Sequence, residues 1–485
     1  MRPIRIATSS VAALAALTLV ACGGGSDEPG PTASEPTAGP ELRMLVDGSP
    51  AEVDALQEAV DAWSDESGSP VRIVLASDLE QQLAESFANA NPPDVFALPT
   101  TRLERYEGYL EPYGPFADAD ALHPWLLDVV GDGAGLQCVP RSVDAVTLAI
   151  DEQAWADAGL GDADLPTTHE QLEAVAERLA SDEQPGVVID PDAAHLGVLL
   201  AQAGGALVDE TGAVADSEAN AAALEAVQRM RGAGSLAWPA DVGAGSAAEA
   251  FARGDAAMAY VGLDALLAAE AAAPAPSETS ATPEPEEAEP SEPADPSTSA
   301  DPAGPSASAD PSASADPTDP SASADPSASP DASASAEPDD ASPDAAALLD
   351  GVRLVRLPAG AAGGASFATS TCWALPADTR TGDEARDLVA ALLEDDPQVA
   401  LADATGTVPV TTTGGAAFAE QHPERAAVVA AAADATTMQA ALGPAEATDA
   451  LDDALASLVA DGEDADVAAL LADLQERLEQ QLGEA

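Results

Sequence analysis

The chain has 485 residues, room for about three domains of ordinary size, and it sets 17 basic residues against 86 acidic ones for a formal net charge of −69. No lysine occurs; every basic residue is arginine. That excludes a P-loop, a Schiff-base enzyme and the Ser-x-x-Lys acyl enzymes, each of which needs a lysine amine, and the missing basic patch argues against nucleic acid as a partner. Aromatic residues are only 3% of the chain, a bias that a GC-rich genome produces as readily as function does.

Residues 1–21 read as a signal peptide. Arg2 and Arg5 make a positive start, and the apolar stretch Val11–Ala21 is shorter than a ~20-residue membrane span. It ends in Leu19-Val20-Ala21-Cys22 followed by Gly23. This resembles the bacterial lipobox, which implies that Cys22 is diacylated on sulfur, becomes the mature N-terminus and holds the chain on the outer face of the cell membrane. Residues 22–40 are then the lipidated cysteine and a tether, because 23–40 contain only Gly, Pro, Ser, Thr, Ala and acids and cannot bury a core. A coil of that length has an r.m.s. span of ~23 Å. Cys138 and Cys372 remain, an even pair in an exported chain where disulfides persist; two buried free thiols are the alternative.

From Glu41 the pattern alternates. Leu42–Val46, Val71–Ala76 and Asp94–Leu98 are short apolar runs that predict strands. Between them, 51–65 (Val53, Leu56, Val60, Trp63) and 79–89 (Leu79, Leu83, Phe87) have helical spacing. Strands are expected again at 136–139, 145–150, 187–189 and 256–261. Helices are expected near 152–158, 168–180 with Thr168 as N-cap, 193–203, 217–232 and 246–253. The alternation predicts an α/β fold with parallel sheets. Residues 271–345 interrupt it with 16 prolines and 17 acids and no basic or aromatic residue, the composition of a disordered, self-repelling insertion. Closing a long flexible loop costs only slowly more with length, so a fold tolerates it. Strands follow at 351–357 and 366–375, then helices near 383–394, 396–403, 414–432, 446–459 and 464–482.

Three stretches carry a more specific resemblance. They are Asn91-Pro92-Pro93-Asp94-Val95-Phe96; Gly135-Leu136-Gln137-Cys138-Val139-Pro140-Arg141 running on to Trp155-Ala156-Asp157-Ala158-Gly159-Leu160 and Pro166-Thr167-Thr168; and Gly243 through Ala250-Phe251-Ala252-Arg253-Gly254-Asp255 to Met258. In this order, behind a lipobox and tether, they resemble the extracellular solute-binding proteins of the maltose-binding-protein type. The resemblance implies a two-lobed periplasmic-binding-protein-like fold with hinge strands: lobe one 41–139 with 351–376, lobe two 141–270 with 380–485, and the 271–345 insertion on a surface connection. It also implies a Cys138–Cys372 disulfide that staples the hinge side and is worth ~4 kcal/mol or more on chain-entropy grounds. The implied function is capture of a small solute, a carbohydrate, between the lobes for delivery to the permease of an ABC importer. The protein would be a monomer, with no enzymatic activity, metal or cofactor. A lipid-anchored envelope interaction protein with a degenerate binding fold is the alternative.

Ligand contacts are expected at the C-terminal ends of strands. Asp144 matches the family's acidic sugar-binding residue, four positions after Pro140, and Arg102 matches an arginine of the first-lobe binding loop. Asp47 and Gly48 follow the first strand, Ser77 and Asp78 the second, and Asp190 and Asp192 stand near an acidic binding loop; Trp373 follows Cys372. Asp47, Asp78 and Asp190 are equally readable as helix caps or turn residues, Arg102 as a solvated residue, Asp144 as an exposed strand residue, and Trp373 and Trp155 as core. Leu98 stands in place of a family tryptophan and Gly262-Leu263-Asp264 in place of Gly-Pro-Trp. The stacking set for sugar is therefore depleted, and an acidic cleft suits a neutral or cationic solute better than an anion.

Overall fold

The computed structural model describes residues 39–106, 108–114, 119–131, 135–181, 184–272, 348–377, 379–462 and 465–484. The expected signal peptide, the cysteine expected to be acylated, nearly all of the expected tether and all but two residues of the 271–345 insertion lie outside them.

Local sequence sets most element boundaries. Strand β1 (Leu42–Val46) runs into helix α1 (Pro50–Ser67), whose cap Ser49 accepts the Glu52 N–H at 3.1 Å and which ends at Gly68 with φ 73°. β2 (Val71–Leu75) leads to α2 (Leu79–Ala88), capped by Asp78. β3 (Val95–Pro99), α3 (Leu103–Tyr106) and α4 (Pro124–Val130) precede β4 (Val139–Ala145) and β5 (Thr147–Asp151). Next come α5 (Glu152–Asp157), α6 (His169–Leu179), β6 (Val187–Val188), α7 (Leu196–Ala203) and the small hairpin β7–β8 (Val208–Asp209, Gly212–Ala213). α8 (Glu218–Gly232), β9 (Leu236–Ala237), α9 (Ala247–Ala252), β10 (Met258–Val261) and α10 (Leu263–Ala272) bring the chain to the insertion. Beyond it are β11 (Val352–Val355), β12 (Ala368–Ala374), α11 (Gly382–Ala391), α12 (Asp395–Thr405), α13 (Thr412–Gln421), α14 (Ala426–Ala433), α15 (Met438–Leu442), α16 (Ala445–Asp461) and α17 (Val467–Glu484). The single helix expected over 414–432 is two. Pro423 cannot continue the helical hydrogen bonding, and α13 stops at Gln421.

Two five-stranded sheets form, one per lobe. The first has order β2-β1-β3-β12-β4, with β1, β2 and β3 parallel and β12 antiparallel to both neighbours. The second has order β11-β5-β10-β6-β9, with β10, β6 and β9 parallel and β5 antiparallel to β10 and β11. The chain passes between the sheets three times, at Val146, at Ser366–Phe367 and at Thr436. The passages are bonded side by side. Val146 N–H donates to Phe367 O at 3.1 Å, and the buried Ser366 hydroxyl donates to Val146 O at 2.6 Å. Ala368 N–H donates to Thr436 O, and Thr436 N–H to Ser366 O, each at 3.0 Å.

Two of the expected lobe assignments change. Residues 351–357 were assigned to lobe one, but β11 pairs with β5 in the second sheet, Val352 opposite Asp151 through Val355 opposite Leu148. The segment 380–435 was expected in lobe two. Its first helices instead pack on the first lobe, α11 and α12 against α1 and α12 also against β4, while α14 touches β4 of the first sheet and β5 and β11 of the second. Only the third passage, at Thr436, returns the chain to lobe two, where Leu451, Leu455, Leu471, Leu474 and Leu478 of α16 and α17 close the second core. The apolar stripe of a late helix shows that it packs, not against which sheet.

The disulfide forms, joining Cys138 to Cys372 across a sequence separation of 234. It does not sit at the hinge. Cys372 pairs with Pro140 and Trp373 with Val139, so the bond staples neighbouring strands at the end of the first sheet remote from the passages.

A candidate solute-binding cleft

In both sheets the parallel strands end on the side of the passages. β12 begins beside the end of β4 (Ala368 opposite Ala145) and Thr371 lies opposite Pro99 at the end of β3. Thr147, just past the first passage, lies opposite Val261 at the end of β10. The loops after β1, β2 and β3 therefore face the loops after β6, β9 and β10, which is where α/β sheets gather ligand contacts.

On the first wall, Asp47 and Gly48 are exposed, Gly48 with φ 142°. A buried ion pair holds this turn from beneath: Arg141 on β4 bonds the Glu52 carboxylate, and a side chain at Gly48 would collide with that carboxylate. Asp78 is exposed but accepts the Gln81 N–H at 2.9 Å, so its capping role is real. Arg102 is half-exposed and tied to Glu80 at 2.9 Å. Trp373 is placed differently from expectation. It is fully buried, with the Arg141 guanidinium 4.6 Å from its ring centre, and its ring packs in the sheet rather than facing the cleft.

The second wall is acidic, and Asp144, near the end of β4 in the first sheet, packs onto it: it lies against Gly262 so closely that a Cβ there would overlap its carboxylate. One of its oxygens, Oδ1, is buried with no hydrogen-bond partner among the described residues. Burial, and then the charge of Asp264, push its carboxyl up to about 8. Burial raises Asp264 as well. Burial also raises Asp190, although Asp190 accepts the Ala247 N–H at the start of α9 (3.1 Å). Asp192 accepts both the main-chain N–H (2.9 Å) and the ring nitrogen (2.8 Å) of His195. Burial opposes charge on that ring, but Asp192, Asp190 and Asp144 together raise the His195 pKa. Asp144 and Asp190 are thus brought to one place, while Asp264 and His195 join them unpredicted. Their signal was present: each follows the end of a parallel strand. Gly262-Leu263-Asp264 reads in sequence only as a lost aromatic.

A model of the bacterial extracellular solute-binding proteins matches residues 47–315. The chain belongs to that family. Solved structures of the same fold include a cyclic alpha-maltosyl-1,6-maltose binding protein from Arthrobacter globiformis, at 18% identity over 92% of this chain and 100% of that one, with a TM-score of 0.64. A cyclo/maltodextrin-binding protein is similar at 14% identity over 92% and 99%, with a TM-score of 0.65. The GacH receptor of Streptomyces glaucescens is similar at 15% over 91% and 98%, with a TM-score of 0.62. No curated protein matches in sequence.

In this solute-binding protein the tryptophans nearest the strand ends, among the described residues, are not exposed. Trp155 and Trp238 are buried, the latter under the Arg231 guanidinium at 4.8 Å, and Tyr260 is fully buried in the second core. Tyr109 is exposed, but at the opposite end of the first sheet. Among the described residues no group of three or more His, Cys, Asp or Glu is arranged to hold a metal ion.

Proposed function

We propose that this solute-binding protein is a receptor, anchored through acylated Cys22 on the outer face of the membrane, that closes its lobes on a small carbohydrate and delivers it to an ABC-type importer. The observation that carries the reading is the facing of two sets of strand ends across three mutually bonded passages, one wall bearing Asp144, Asp190 and Asp264. Such carboxylates accept hydrogen bonds from sugar hydroxyls, and a wall this acidic favours a neutral or cationic solute. The proteins of the same fold support the class: the structures name maltotetraose for one and acarbose for another. With Trp155, Trp238 and Trp373 buried, recognition rests on hydrogen bonds rather than stacking, which suits a compact solute better than a long glucan. A solute touching both walls shifts the population toward the closed form by its differential affinity alone. The protein performs no reaction on its cargo in this scheme.

Thermal melts of the protein against mono- and oligosaccharides, amino acids, polyamines and osmolytes test it. A ligand at a hundred times its dissociation constant adds ~2.7 kcal/mol. A sugar that raises the midpoint in the parent but not in Asp144→Asn supports the proposal. A cooperative melt that no sugar moves would overturn it.

A further inference from the structure

The first sheet has a second end, away from the cleft. There the starts of β1, β2 and β3 meet the finish of β12, and Arg43, Asn91, Asp94, Tyr109 and Arg380 border a recess of about 800 Å3. A second recess of about 350 Å3 shares Arg43, Asn91 and Pro93 with it and adds Arg72.

Charge singles this pole out. Every other arginine among the described residues is ion-paired with a carboxylate. Arg43, Arg72 and Arg380 are not, in a chain where acids outnumber bases 86 to 17, and all three line these recesses. Arg43 is aimed by the Asn91 and Pro92 carbonyls, which accept from its Nη2 at 3.0 and 2.8 Å. Those carbonyls are presented by the turn at Ala90, which has φ 52° and is the non-glycine residue with left-handed backbone among those described. Among the described residues, the carboxylates nearby are mostly engaged. Asp94 accepts the Arg43 main-chain N–H at 2.8 Å and the Thr381 hydroxyl, and Glu85 takes the Gln81 amide at 2.8 Å. Glu41 on the rim remains without a partner. Tyr109, 56% exposed, is set edge-on against Phe87 at 5.5 Å beside the same recess.

An aromatic face next to unpaired guanidinium groups matches a ring with C–H surface that carries an anionic group, since guanidinium binds phosphate and carboxylate in a planar fork. We propose that this pole is a second binding site, separate from the cleft, for an anionic saccharide: the sugar ring on Tyr109 and its phosphate or carboxylate between Arg43 and Arg380. The site is independent of what the cleft binds.

Titration calorimetry of the full chain with glucose 6-phosphate, glucuronate, glucose and inorganic phosphate tests it. The charged sugars should bind at least about tenfold more tightly than glucose, and salt raised from about 0.05 to 0.5 M should weaken them. Arg380→Ala and Tyr109→Ala should each lose roughly fivefold in affinity with unchanged thermal melts. Glu41→Gln should gain affinity, and the cleft variant Asp144→Asn should leave it unchanged. Binding of glucose as tight as that of its phosphate would overturn the proposal. So would indifference to Arg380→Ala and Tyr109→Ala, or loss of binding in Asp144→Asn. Phosphate alone binding as tightly as the sugar phosphate would overturn the saccharide assignment.

Discussion

Replacing Asp144 with Asn should stabilise the unliganded protein while weakening its grip on solute. The side chain keeps its shape and loses a charge that is buried against Gly262, has Oδ1 unpartnered and faces Asp264. A carboxyl held near 8 in the folded chain binds a proton that the unfolded chain gives up near 3.8. Parent stability therefore falls as pH rises between those values and levels off above them. Each tenfold in proton affinity is about 1.4 kcal/mol, which puts the ceiling at about 6 kcal/mol. Sharing the proton with Asp264 brings the expected gain to about 2 kcal/mol. Urea melts at about pH 4.5, 7 and 8.5 read it: parent and variant should agree at the lowest pH, and the variant should lead increasingly up to the highest. Solute affinity should move the other way, by about tenfold at pH 8.5, where the parent carboxylate is charged and the variant loses its hydrogen bond to the solute. A variant less stable than the parent at pH 8.5, or a gap that does not change with pH, would refute the reasoning.

Three further outcomes follow from the same geometry. Gly262→Ala should lower both stability and solute affinity, by about 1–3 kcal/mol in melts, because the new methyl overlaps the Asp144 carboxylate. Opening the Cys138–Cys372 bond, by reductant or by Cys372→Ala, should cost about 4–5 kcal/mol, given a closed loop of 234 residues. It should leave solute affinity unchanged, since the bond lies at the far end of the sheet. Glu52→Gln strands the Arg141 charge beneath the Asp47–Gly48 turn and should cost about 3–5 kcal/mol in denaturant melts, whereas Glu52→Leu with Arg141→Met should recover most of it.

Much of the fold was legible because periodicity and caps are local. Leu42–Val46 is a strand with the expected bounds, and Thr168 caps α6 as its spacing to Gln171 implies. The misassigned pieces depend on distant partners. β11 could have joined either sheet by its composition, and the helices of 380–435 carry stripes that fit either core. The site divides the same way. Strand ends pointed to Asp47 and Asp78, because position along a parallel strand decides on which side a loop emerges, and the family resemblance pointed to Asp144 and Asp190. Trp373 could not be sorted, because alternation along β12 does not say which face Arg141 will cover. His195 and Asp264 also follow strand ends, but nothing in a single sequence reveals that two carboxylates and an imidazole meet Asp144 in space.

The placement of charge argues for a liganded state beyond the one described. Burying a carboxylate without a partner is unfavourable, and a fold shaped by stability alone would have set an arginine or a hydroxyl against Asp144 Oδ1. Arginines were to hand: Arg141 lies on the same strand, yet it is spent on Glu52 and Trp373, and Arg102 is spent on Glu80. His195, the basic group that raises no strain by facing Asp144, is directed to Asp192 instead. Asp190 and Asp192 find their donors in Ala247 and His195, so the deficit falls on Asp144, which burial and Asp264 crowd. In the proposed scheme, a solute whose hydroxyl or amine protons reach the Asp144–Asp264 pair offsets part of that cost on closing. Such a receptor gains affinity and closure from one source, and substitutions that neutralise the strain in advance, Asp144→Asn first among them, trade both away for stability.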